Sequence, residues 1–343
     1  MRPTPFALLT LAIFAISSFC QAANFVVVTS ESARDQPLVD YLQNYLGHSV
    51  TVGAYAELDV TQSDVDALNA ADMVIITRNT NSGNYATNAT EVAAWDSLTV
   101  PVLLGNSYIS RTSRWMWVDT DAIQVDYNGD ISDPIGTTET HPLFSNLDVD
   151  MGDLISSPPI SGIAKYDWTS SADIPDGTTL LGSGEIIGVR NNPTTPNIII
   201  ASYEAGSVTG SGNTLGGNRY FYALPEDLVN FRNSGLPILN NILSQEFPVL
   251  NGDVNLDGQV TLDDFNLIRD NFGNAATMRS VGDLNADGTV NFADFNQWKN
   301  AAGPALAAQA SWSAVPEPGA MSLFLLGMIG MVARRWGSVK HKG

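Results

Sequence analysis

The chain has very little cysteine and histidine, and this scarcity excludes several kinds of chemistry. Its 343 residues include one cysteine, Cys20, and three histidines. Cys20 falls in an N-terminal segment that we expect to be cleaved off, which leaves no thiol for a disulfide, a thiolate metal site or a cysteine nucleophile. His48 follows a predicted helix, and His341 belongs to the C-terminal tail. His141 alone could act as a base, although a loop histidine that caps local structure beside Pro142 is the commoner arrangement.

Basic residues are scarce as well. The chain carries 16 lysines and arginines against 36 aspartates and glutamates, which gives a formal net charge of -20. Because proteins bind nucleic-acid phosphates through a basic surface, we expect no nucleic-acid partner. Such acidity suits an extracellular or calcium-rich setting. Apolar residues make up 44% of the chain, which is enough to build a sizeable core.

An acidic pattern occurs twice towards the C-terminus. The segment that starts at Gly252 returns thirty residues later at Gly282, and 10 of 22 aligned positions are identical. A repeat this short and this close indicates a duplicated supersecondary unit. In both copies Asp, Asn and Asp occupy positions 1, 3 and 5 of a loop. Gly258 and Gly288 occupy position 6, where such a loop must turn sharply.

This spacing of oxygen donors predicts calcium. Ca²⁺ takes about 6–8 oxygen ligands, and loops of the EF-hand type supply them from positions 1, 3, 5, 7, 9 and 12. We therefore expect two calcium ions, one in each loop. Position 9, which is Thr261 or Asn291, could add a ligand directly or through a water. The other predicted ligands are Asp253, Asn255, Asp257, the backbone carbonyl of Gln259 and Asp264 in the first loop, and Asp283, Asn285, Asp287, the backbone carbonyl of Thr289 and Asp294 in the second.

An apolar stripe follows each loop and predicts one helix in each copy. In the first copy, Leu262, Phe265 and Ile268 recur at helical spacing. Position 12 is Asp rather than the usual Glu, so each helix must begin close to the ion. No clear helix enters either loop, since Pro248 precedes the first and the linker-like segment 273–280 precedes the second. A pair of surface turns is the alternative, but it does not explain why the donors and the apolar helix face recur together.

A loop followed by one helix, in duplicate and with Asp at position 12, resembles the type I dockerin module over residues 250–303. The resemblance implies a small all-α module of two calcium loop-helix units that binds a cohesin-type domain. It places the recognition face on the exposed sides of the two helices, around Leu262, Asp263, Phe292 and Ala293.

The N-terminal segment has the features of a targeting sequence. Residues 1–22 contain one basic residue, an apolar stretch over 6–19 and a small-x-small site at 20–22. We interpret them as a secretory signal peptide rather than as a buried strand or helix. The sequence therefore predicts an exported protein.

The C-terminal segment 315–343 combines a Pro-Glu-Pro motif, fifteen uncharged residues and a basic end. The apolar stretch is short for a bilayer span, and the basic residues would place its far end in the cytoplasm. The pattern over 315–336 resembles the PEP-CTERM sorting signal, which implies recognition by an exosortase, cleavage near 316–318 and display on the cell envelope or release from it. A permanent transmembrane helix is the alternative, and contact with the membrane is expected only through this tail. Residues 304–314 are interpreted as a flexible linker.

The large domain, predicted over 23–247, alternates strands with helices. This alternation predicts an α/β fold with a flavodoxin-like parallel sheet, and the second half predicts short strands laid against that sheet. The predicted strands lie at 24–29, 49–54, 73–77, 100–104, 122–127, 160–163, 179–182, 186–190, 198–203 and 219–224. The predicted helices lie at 36–46, 62–71, 89–98 and from 228 or 234 to 245.

The order of these elements and the segments 100–107, 140–143 and 217–225 resemble the class I glutamine amidotransferase-like, or trehalose-utilisation (ThuA)-like, fold. The family implied by this resemblance carries a cysteine nucleophile on the turn after the fourth strand. The matching position here is near Asn106, and an amide cannot serve as that nucleophile. Ser107 lacks the Gly-x-Ser-x-Gly frame of a nucleophile elbow. The resemblance therefore implies a non-catalytic domain that binds a ligand or partner.

Open parallel sheets bind ligands past the carboxyl ends of their strands, so we expect a crevice there. Its predicted lining is Ser30, Glu31, Arg78, Asn79, Asn106, Ser107 and Arg111.

A different function remains open for the large domain, that of an enzyme or accessory subunit of the glycoside hydrolase type in extracellular polysaccharide degradation. Glu185 and Glu204 could then act as general acid and base on a polysaccharide. Trp115, Trp117 and Tyr108 could form a platform on which sugars stack, although such aromatics more often cover the edge of a core.

Overall fold

The computed structural model describes residues 22–58, 62–132, 141–145, 147, 165–190, 197–232, 234–276, 278–285 and 287–310. The predicted signal peptide before residue 22, the sorting segment 315–343 and the strand at 160–163 lie outside the described residues. None of the helices in the described ranges is both long and apolar enough to cross a bilayer. This part of the chain is mixed α/β, with a nine-stranded sheet and a small helical module.

The sheet has the strand order β2-β1-β3-β4-β9-β8-β7-β5-β6. The strands are β1 Asn24–Val28, β2 Ser49–Gly53, β3 Met73–Ile76, β4 Val102–Leu104, β5 Ile123–Ser132, β6 Lys165–Pro175, β7 Glu185–Arg190, β8 Ile198–Tyr203 and β9 Arg219–Tyr222. From β2 to β9 the neighbours run parallel, and from β9 to β6 they run antiparallel.

The parallel half of the sheet follows from continuous apolar runs. Side chains of β1, β3 and β4, such as Val27, Ile75 and Leu103, are fully buried. Strands covered on both faces need such runs rather than an alternation of polar and apolar residues. The predicted parallel sheet is therefore confirmed for the first half of the chain.

The helices of the large domain lie near their predicted places. They are α1 Ser32–Asp40, α2 Gln62–Asn69, α3 Ala89–Ser97, the short α4 Ser107–Ser110 and α5 Gly235–Glu246. The helix predicted at 36–46 starts four residues earlier, and its last part is a π-helical turn, Tyr41–Tyr45. This turn carries Tyr41 and Tyr45, and the hydroxyl of Tyr45 contacts the C-terminal module.

The second half differs from the prediction in its longest strand. The 11 residues of β6 were not predicted, although its buried apolar residues Tyr166, Trp168, Ala172 and Ile174 share one period-2 register. The polar Ser170 lies in the same register and interrupts the pattern. The antiparallel strands also continue the edge of the same sheet rather than lying against it, because β8 pairs with β9. The strand predicted at 179–182 forms only isolated bridges.

The C-terminal module consists of two helices, α6 Leu262–Asn271 and α7 Phe292–Ala307, each preceded by one of the repeated loops. It has a hydrophobic core of its own, distinct from that of the sheet. The core residues are Val254, Phe265, Ile268, Ala276, Leu284, Val290 and Trp298.

The segment after residue 303 differs from the predicted flexible linker. α7 kinks at Gly303, which has a φ of 72°, and then continues as a helix to Ala307. Leu306, Ala307 and Ala310 pack against the core of the module. Their apolar side chains explain why residues 304–310 fold onto the module, whereas 311–314 lie outside the described residues.

Candidate metal centre

The first loop is closed by hydrogen bonds among its own predicted ligands. The carboxylate of Asp253 accepts the N–H groups of Asp257 at 3.1 Å and Gly258 at 2.8 Å. The amide oxygen of Asn255 also accepts the N–H of Asp257, at 3.0 Å, and the N–H of Gln259 donates to Asp257 Oδ1 at 2.9 Å. Positions 1, 3, 5 and 7 are thereby held around one tight turn.

The last ligand of this loop, Asp264, fixes where the helix begins. Its Oδ1 accepts the N–H of Val254 at 2.7 Å, and its Oδ2 accepts the N–H of Thr261 at 2.7 Å. Thr261 is the N-cap of α6 and shares a capping box with Asp264. Asp264 thereby ties the start of α6 to the loop, and the expected closeness of the helix to an ion stays a prediction.

The second loop repeats this network almost bond for bond. Asp283 Oδ2 accepts the N–H of Gly288 at 3.0 Å, and Asn285 Oδ1 accepts that of Asp287 at 3.2 Å. The N–H of Thr289 donates to Asp287 Oδ1 at 2.9 Å. The repeat seen in the sequence is thus a repeat of the structure.

Asp294 has the same place in the second loop as Asp264 has in the first. Its Oδ1 accepts the N–H of Leu284 at 2.7 Å, and its Oδ2 accepts that of Asn291 at 2.8 Å. Asn291 caps α7 through a second capping box. Both position-9 residues therefore act as helix caps in this structure.

The position-6 glycines have the backbone geometry that was expected of them. Gly258 and Gly288 have φ values of 81° and 84°, in the left-handed region where a side chain is unfavourable. A larger residue at either position would strain the turn that brings the ligands together.

The electrostatics of the loops are unfavourable without a cation. The carboxylates of Asp253, Asp264, Asp283 and Asp294 are essentially inaccessible to solvent. Burial, together with the nearby charge of Asp294, raises the pKa of Asp283 to about 7. Burial also raises the pKa values of Asp253 and Asp294. None of the loop carboxylates forms an ion pair with another described residue.

The hydrogen bonding of Asp283 Oδ1 indicates whether these residues fit a cation. Asp283 Oδ1 is buried and has no hydrogen-bond partner among the described residues. A buried carboxylate oxygen without a partner is costly, and a coordinated cation would satisfy it. The donor set of carboxylate, amide and backbone carbonyl oxygens is also the one that Ca²⁺ prefers.

The loops do not gather three acidic or histidine side chains into a compact cluster. No group of three His, Cys, Asp or Glu side chains in the described ranges is arranged to hold a metal. The carboxylates instead accept backbone N–H groups, and two of the predicted ligands in each loop are an amide and a backbone carbonyl oxygen. The residues fit calcium by type, order and burial.

The carboxyl edge of the parallel strands is filled by its own side chains. Arg78 pairs with Asp173, which is 6% exposed. Asp35 is buried, accepts hydrogen bonds from Thr77 at 2.7 Å and Asn79 at 2.8 Å, and has a pKa raised by burial. The cavity left beside them has a volume of about 10 Å³, which is room for about one water. The open crevice expected here is therefore absent from the described part of the edge.

The two residues at the turn after β4 are engaged in hydrogen bonds. Asn106 is fully buried and donates to the carbonyl oxygen of Thr80 at 2.9 Å. Ser107 is also buried, and its hydroxyl donates to the carbonyl oxygen of Asp173 at 2.7 Å. Both side chains hold the edge of the sheet together.

The remaining residues predicted to line the crevice are Ser30, Glu31 and Arg111. Ser30 and Glu31 are exposed. Arg111 lies over the ring of Tyr108, 5.2 Å from its centroid, and Arg78 lies 4.8 Å from the same centroid. Tyr108 therefore contacts two guanidinium groups through its ring.

The histidines have structural surroundings. His48 is buried between Phe25 and Phe247, and burial lowers its pKa to about 4. His141 accepts the N–H of Leu143 at 3.2 Å through Nδ1 and caps a short 3₁₀ helix, so its interpretation as a capping residue is confirmed.

The tryptophans of the suggested sugar platform belong to the core. Trp115 and Trp117 are each 1% exposed. They form part of an aromatic row whose ring centroids lie 5.4–5.8 Å apart. The row consists of Tyr85, Trp95, Trp115, Trp117 and Tyr203. The core interpretation of these two residues is therefore confirmed.

Glu185 and Glu204 lie at the ends of two neighbouring strands, β7 and β8. Glu185 starts β7 opposite Ser202 of β8, and Glu204 follows two residues after Ser202. Both glutamates are exposed. Their catalytic role stays a prediction.

Sequence reasoning missed two side chains that touch the loops. Arg279 lies in the segment interpreted as a linker, yet it is buried and donates to the carbonyl oxygen of Asp253 at 2.9 Å. Tyr45 of the π-helical turn donates its hydroxyl to the carbonyl oxygen of Asp283. A lone arginine inside an otherwise uncharged, linker-like segment was the available signal for the first, and the second depends on tertiary structure.

A scan against protein-family models and a search of curated proteins both find no match to this chain.

Proposed function

We propose that this chain is an exported, envelope-sorted bacterial protein whose C-terminal module binds two calcium ions and docks to another protein. The module is of the dockerin type, its expected partner is a cohesin-type domain, and an exosortase would process the C-terminal tail. The observation that carries the proposal is the duplicated loop with a buried, unpartnered carboxylate oxygen at Asp283.

In each loop, the residues that would hold the ion are those at positions 1, 3, 5, 7 and 12. When bound, Ca²⁺ supplies positive charge that neutralises the buried carboxylates. The chain itself supplies the turn at Gly258 or Gly288 and the capping box that ties Asp264 or Asp294 to the start of a helix. Ion binding would therefore stabilise the loop and the helix start together.

The surface of the module supports a docking role. Phe292 is 64% exposed at the first turn of α7, and Ala293 and Asp263 are exposed as well. A large exposed aromatic at a helix start is a typical anchor of a protein interface. These residues would form the recognition face for the partner.

For the large domain we propose a non-catalytic, amidotransferase-like fold. The five parallel strands have the order β2-β1-β3-β4-β9, which corresponds to the 2-1-3-4-5 order of flavodoxin-like sheets. Asn106 stands at the position where the related enzymes would need a nucleophile, and its amide is fully buried.

The calcium proposal is tested by titration calorimetry on residues 248–310, a segment with its own hydrophobic core. We expect two bound ions in the unaltered segment and one in either Asp257→Ala or Asp287→Ala, whose side chains are exposed enough to be replaced without disturbing the core. Asp270→Ala is the matched control, because Asp270 is an exposed carboxylate on α6 that pairs with Arg269. An unaltered segment that releases no heat at millimolar calcium would exclude the proposal.

The second candidate, a glycoside-hydrolase-type enzyme, is supported by the position of Glu185 at the start of β7 and of Glu204 directly after the end of the neighbouring strand β8. The full chain is assayed against a panel of polysaccharides and compared with Glu185→Gln and Glu204→Gln. Hydrolysis that disappears in either variant would replace the non-catalytic proposal. The same measurement with Glu226→Gln controls for the loss of one exposed carboxylate elsewhere in the domain.

A further inference from the structure

The first peptide bond of each loop is held from both sides. In the first loop, the carbonyl oxygen of Asp253 accepts Arg279 Nε at 2.9 Å. The N–H on the other side of that peptide, which belongs to Val254, donates to Asp264 Oδ1 at 2.7 Å. An external donor and the position-12 ligand are therefore joined through one peptide unit.

The second loop has the same arrangement with a different external donor. The carbonyl oxygen of Asp283 accepts the hydroxyl of Tyr45, which lies 238 residues earlier in the large domain. The N–H of Leu284 donates to Asp294 Oδ1 at 2.7 Å. The large domain thus forms a hydrogen bond to the Asp283–Leu284 peptide, whose N–H in turn holds Asp294, the last ligand of the second loop.

The repeat itself does not supply a side-chain donor to the carbonyl oxygen of Asp283 in the second loop. A shift of thirty residues relates the loops, so the counterpart of Arg279 in the first copy is Val249. Valine has no side-chain donor, and it cannot reach across to the second loop as Arg279 reaches to the first. The donor that the repeat lacks comes from Tyr45.

Tyr45 is held firmly enough to act in this way. It is 6% exposed and stacks on Tyr41, with ring centroids 5.1 Å apart and planes 12° apart. The module also approaches the chain just after this turn, because a side chain at Gly47 would lie 2.8 Å from Leu256 Cδ1. The contact therefore involves both loops and the end of the π-helical turn.

We propose that Tyr45 is a positioning residue for the second calcium loop, so that calcium binding and the seating of the module on the large domain are coupled. The inference rests on the proposed calcium function. A hydrogen bond to the peptide oxygen polarises the peptide and fixes its plane, which strengthens the bond from its N–H to Asp294. By linkage, the bound ion must strengthen the contact with Tyr45 as much as that contact strengthens ion binding.

The test uses the full chain in two backgrounds that each keep one competent loop. Asp257→Ala leaves the second loop, and Asp287→Ala leaves the first. Adding Tyr45→Phe to the Asp257→Ala background should weaken calcium binding roughly 2- to 12-fold, the range of one net hydrogen bond. In the Asp287→Ala background the same change should leave calcium affinity unaltered.

Tyr222→Phe is the matched control, because Tyr222 is a buried tyrosine of the large domain whose hydroxyl donates to a backbone carbonyl oxygen, that of Gly235, at 3.0 Å. It should change neither affinity. As a second measurement, calcium should slow amide hydrogen exchange across residues 41–48 in the unaltered chain, and less so in Tyr45→Phe.

Each outcome decides something. Equal affinities for Tyr45→Phe and the unaltered residue in the second-loop background would overturn the inference and leave the calcium function standing. Equal losses in both backgrounds would mean that Tyr45 acts only on the general stability of the chain, which also overturns it. Absence of calcium binding in the unaltered chain would overturn the inference together with the proposed function.

Discussion

Two groups of buried carboxylates, at the carboxyl edge of the sheet and in the loops of the module, differ in the partners that surround them. At the edge, Asp173 is paired with Arg78, and Asp35 is surrounded by hydroxyl and amide donors. In the loops, Asp253 and Asp283 have only backbone donors and face other carboxylates. The edge carries its own compensation, whereas the loops leave negative charge that an ion can neutralise.

This difference separates a structural polar cluster from a binding site. Both regions contain Asp and Asn at the ends of regular elements, so residue type alone does not distinguish them. The surrounding charges do, because Asp283 lies near the carboxylates of Asp294 and Asp287 and its Oδ1 has no hydrogen-bond partner among the described residues.

The largest expected effect is the removal of calcium from the module. Each ion held at a thousandfold excess over its dissociation constant stabilises the folded form by about 4 kcal/mol, so two ions contribute about 8 kcal/mol. Residues 248–310 should therefore be folded in calcium and largely unfolded in chelator, as read by far-ultraviolet circular dichroism. Identical thermal melting under both conditions would show that the loops need no ion.

The next effect concerns the edge of the sheet. Arg78→Met would leave the Asp173 carboxylate buried without its cation and should lower the free energy of unfolding by about 3–5 kcal/mol. Arg34→Met is the control at the same edge. Its 3.0 Å pair with Glu226 is about half exposed on both sides, so the loss should stay below about 1 kcal/mol. Chemical denaturation of the calcium-loaded chain measures both, and equal losses would remove the distinction between the two pairs.

Much of this comparison could be predicted from the sequence, because local patterns determine it. The ten predicted ligands lie in loops with the expected glycine turns, and the continuous runs over 24–29 and 73–77 are buried parallel strands. β6 was missed because the polar Ser170 interrupts its period-2 pattern of apolar residues and because Thr169 and Asp173 are buried through tertiary contacts. The closed edge was missed because Arg78 and Asp173 are far apart in the sequence, and their pairing depends on where β6 joins the sheet.

The contact between Tyr45 and the second loop could not be predicted from the sequence, for a related reason. A tyrosine in an apolar helical pattern is expected to pack, and nothing local indicates that its hydroxyl reaches a loop more than two hundred residues away. Arg279 was closer to detection, since a buried arginine in an acidic module must find acceptors.

The pH dependence of the metal-free chain gives a third prediction. The pKa of Asp283 is raised from 3.8 to about 7 by burial and by Asp294. Between these two values the folded state holds a proton that the unfolded state has released, so stability falls as the pH rises through this window. Lowering the pH from 7.5 to 5 should therefore stabilise the metal-free module by about 2 kcal/mol.

The folded fraction of residues 248–310 in chelator, read by far-ultraviolet circular dichroism at several pH values, measures this slope. Asp283→Asn should flatten it, because the titrating group is gone. With calcium bound the sign should reverse, since the ion requires the ionised carboxylate and is released as the pH falls. A metal-free module that loses stability on mild acidification would contradict the proposal that the buried, ionised carboxylate of Asp283 destabilises it.

The smallest effect is expected for Asp35→Asn at the edge of the sheet. Asp35 accepts from a hydroxyl and an amide rather than from a cation, and an asparagine can keep both hydrogen bonds if the hydroxyl of Thr77 turns to accept. The free energy of unfolding should change by less than about 1 kcal/mol, whereas Asp35→Ala, which leaves Thr77 and Asn79 unsatisfied, should cost about 2 kcal/mol. Denaturant titration of the full chain compares the two. A loss of 3 kcal/mol or more in the asparagine variant would mean that the edge depends on negative charge at Asp35, and the contrast between a self-compensated edge and a cation-dependent module would no longer hold.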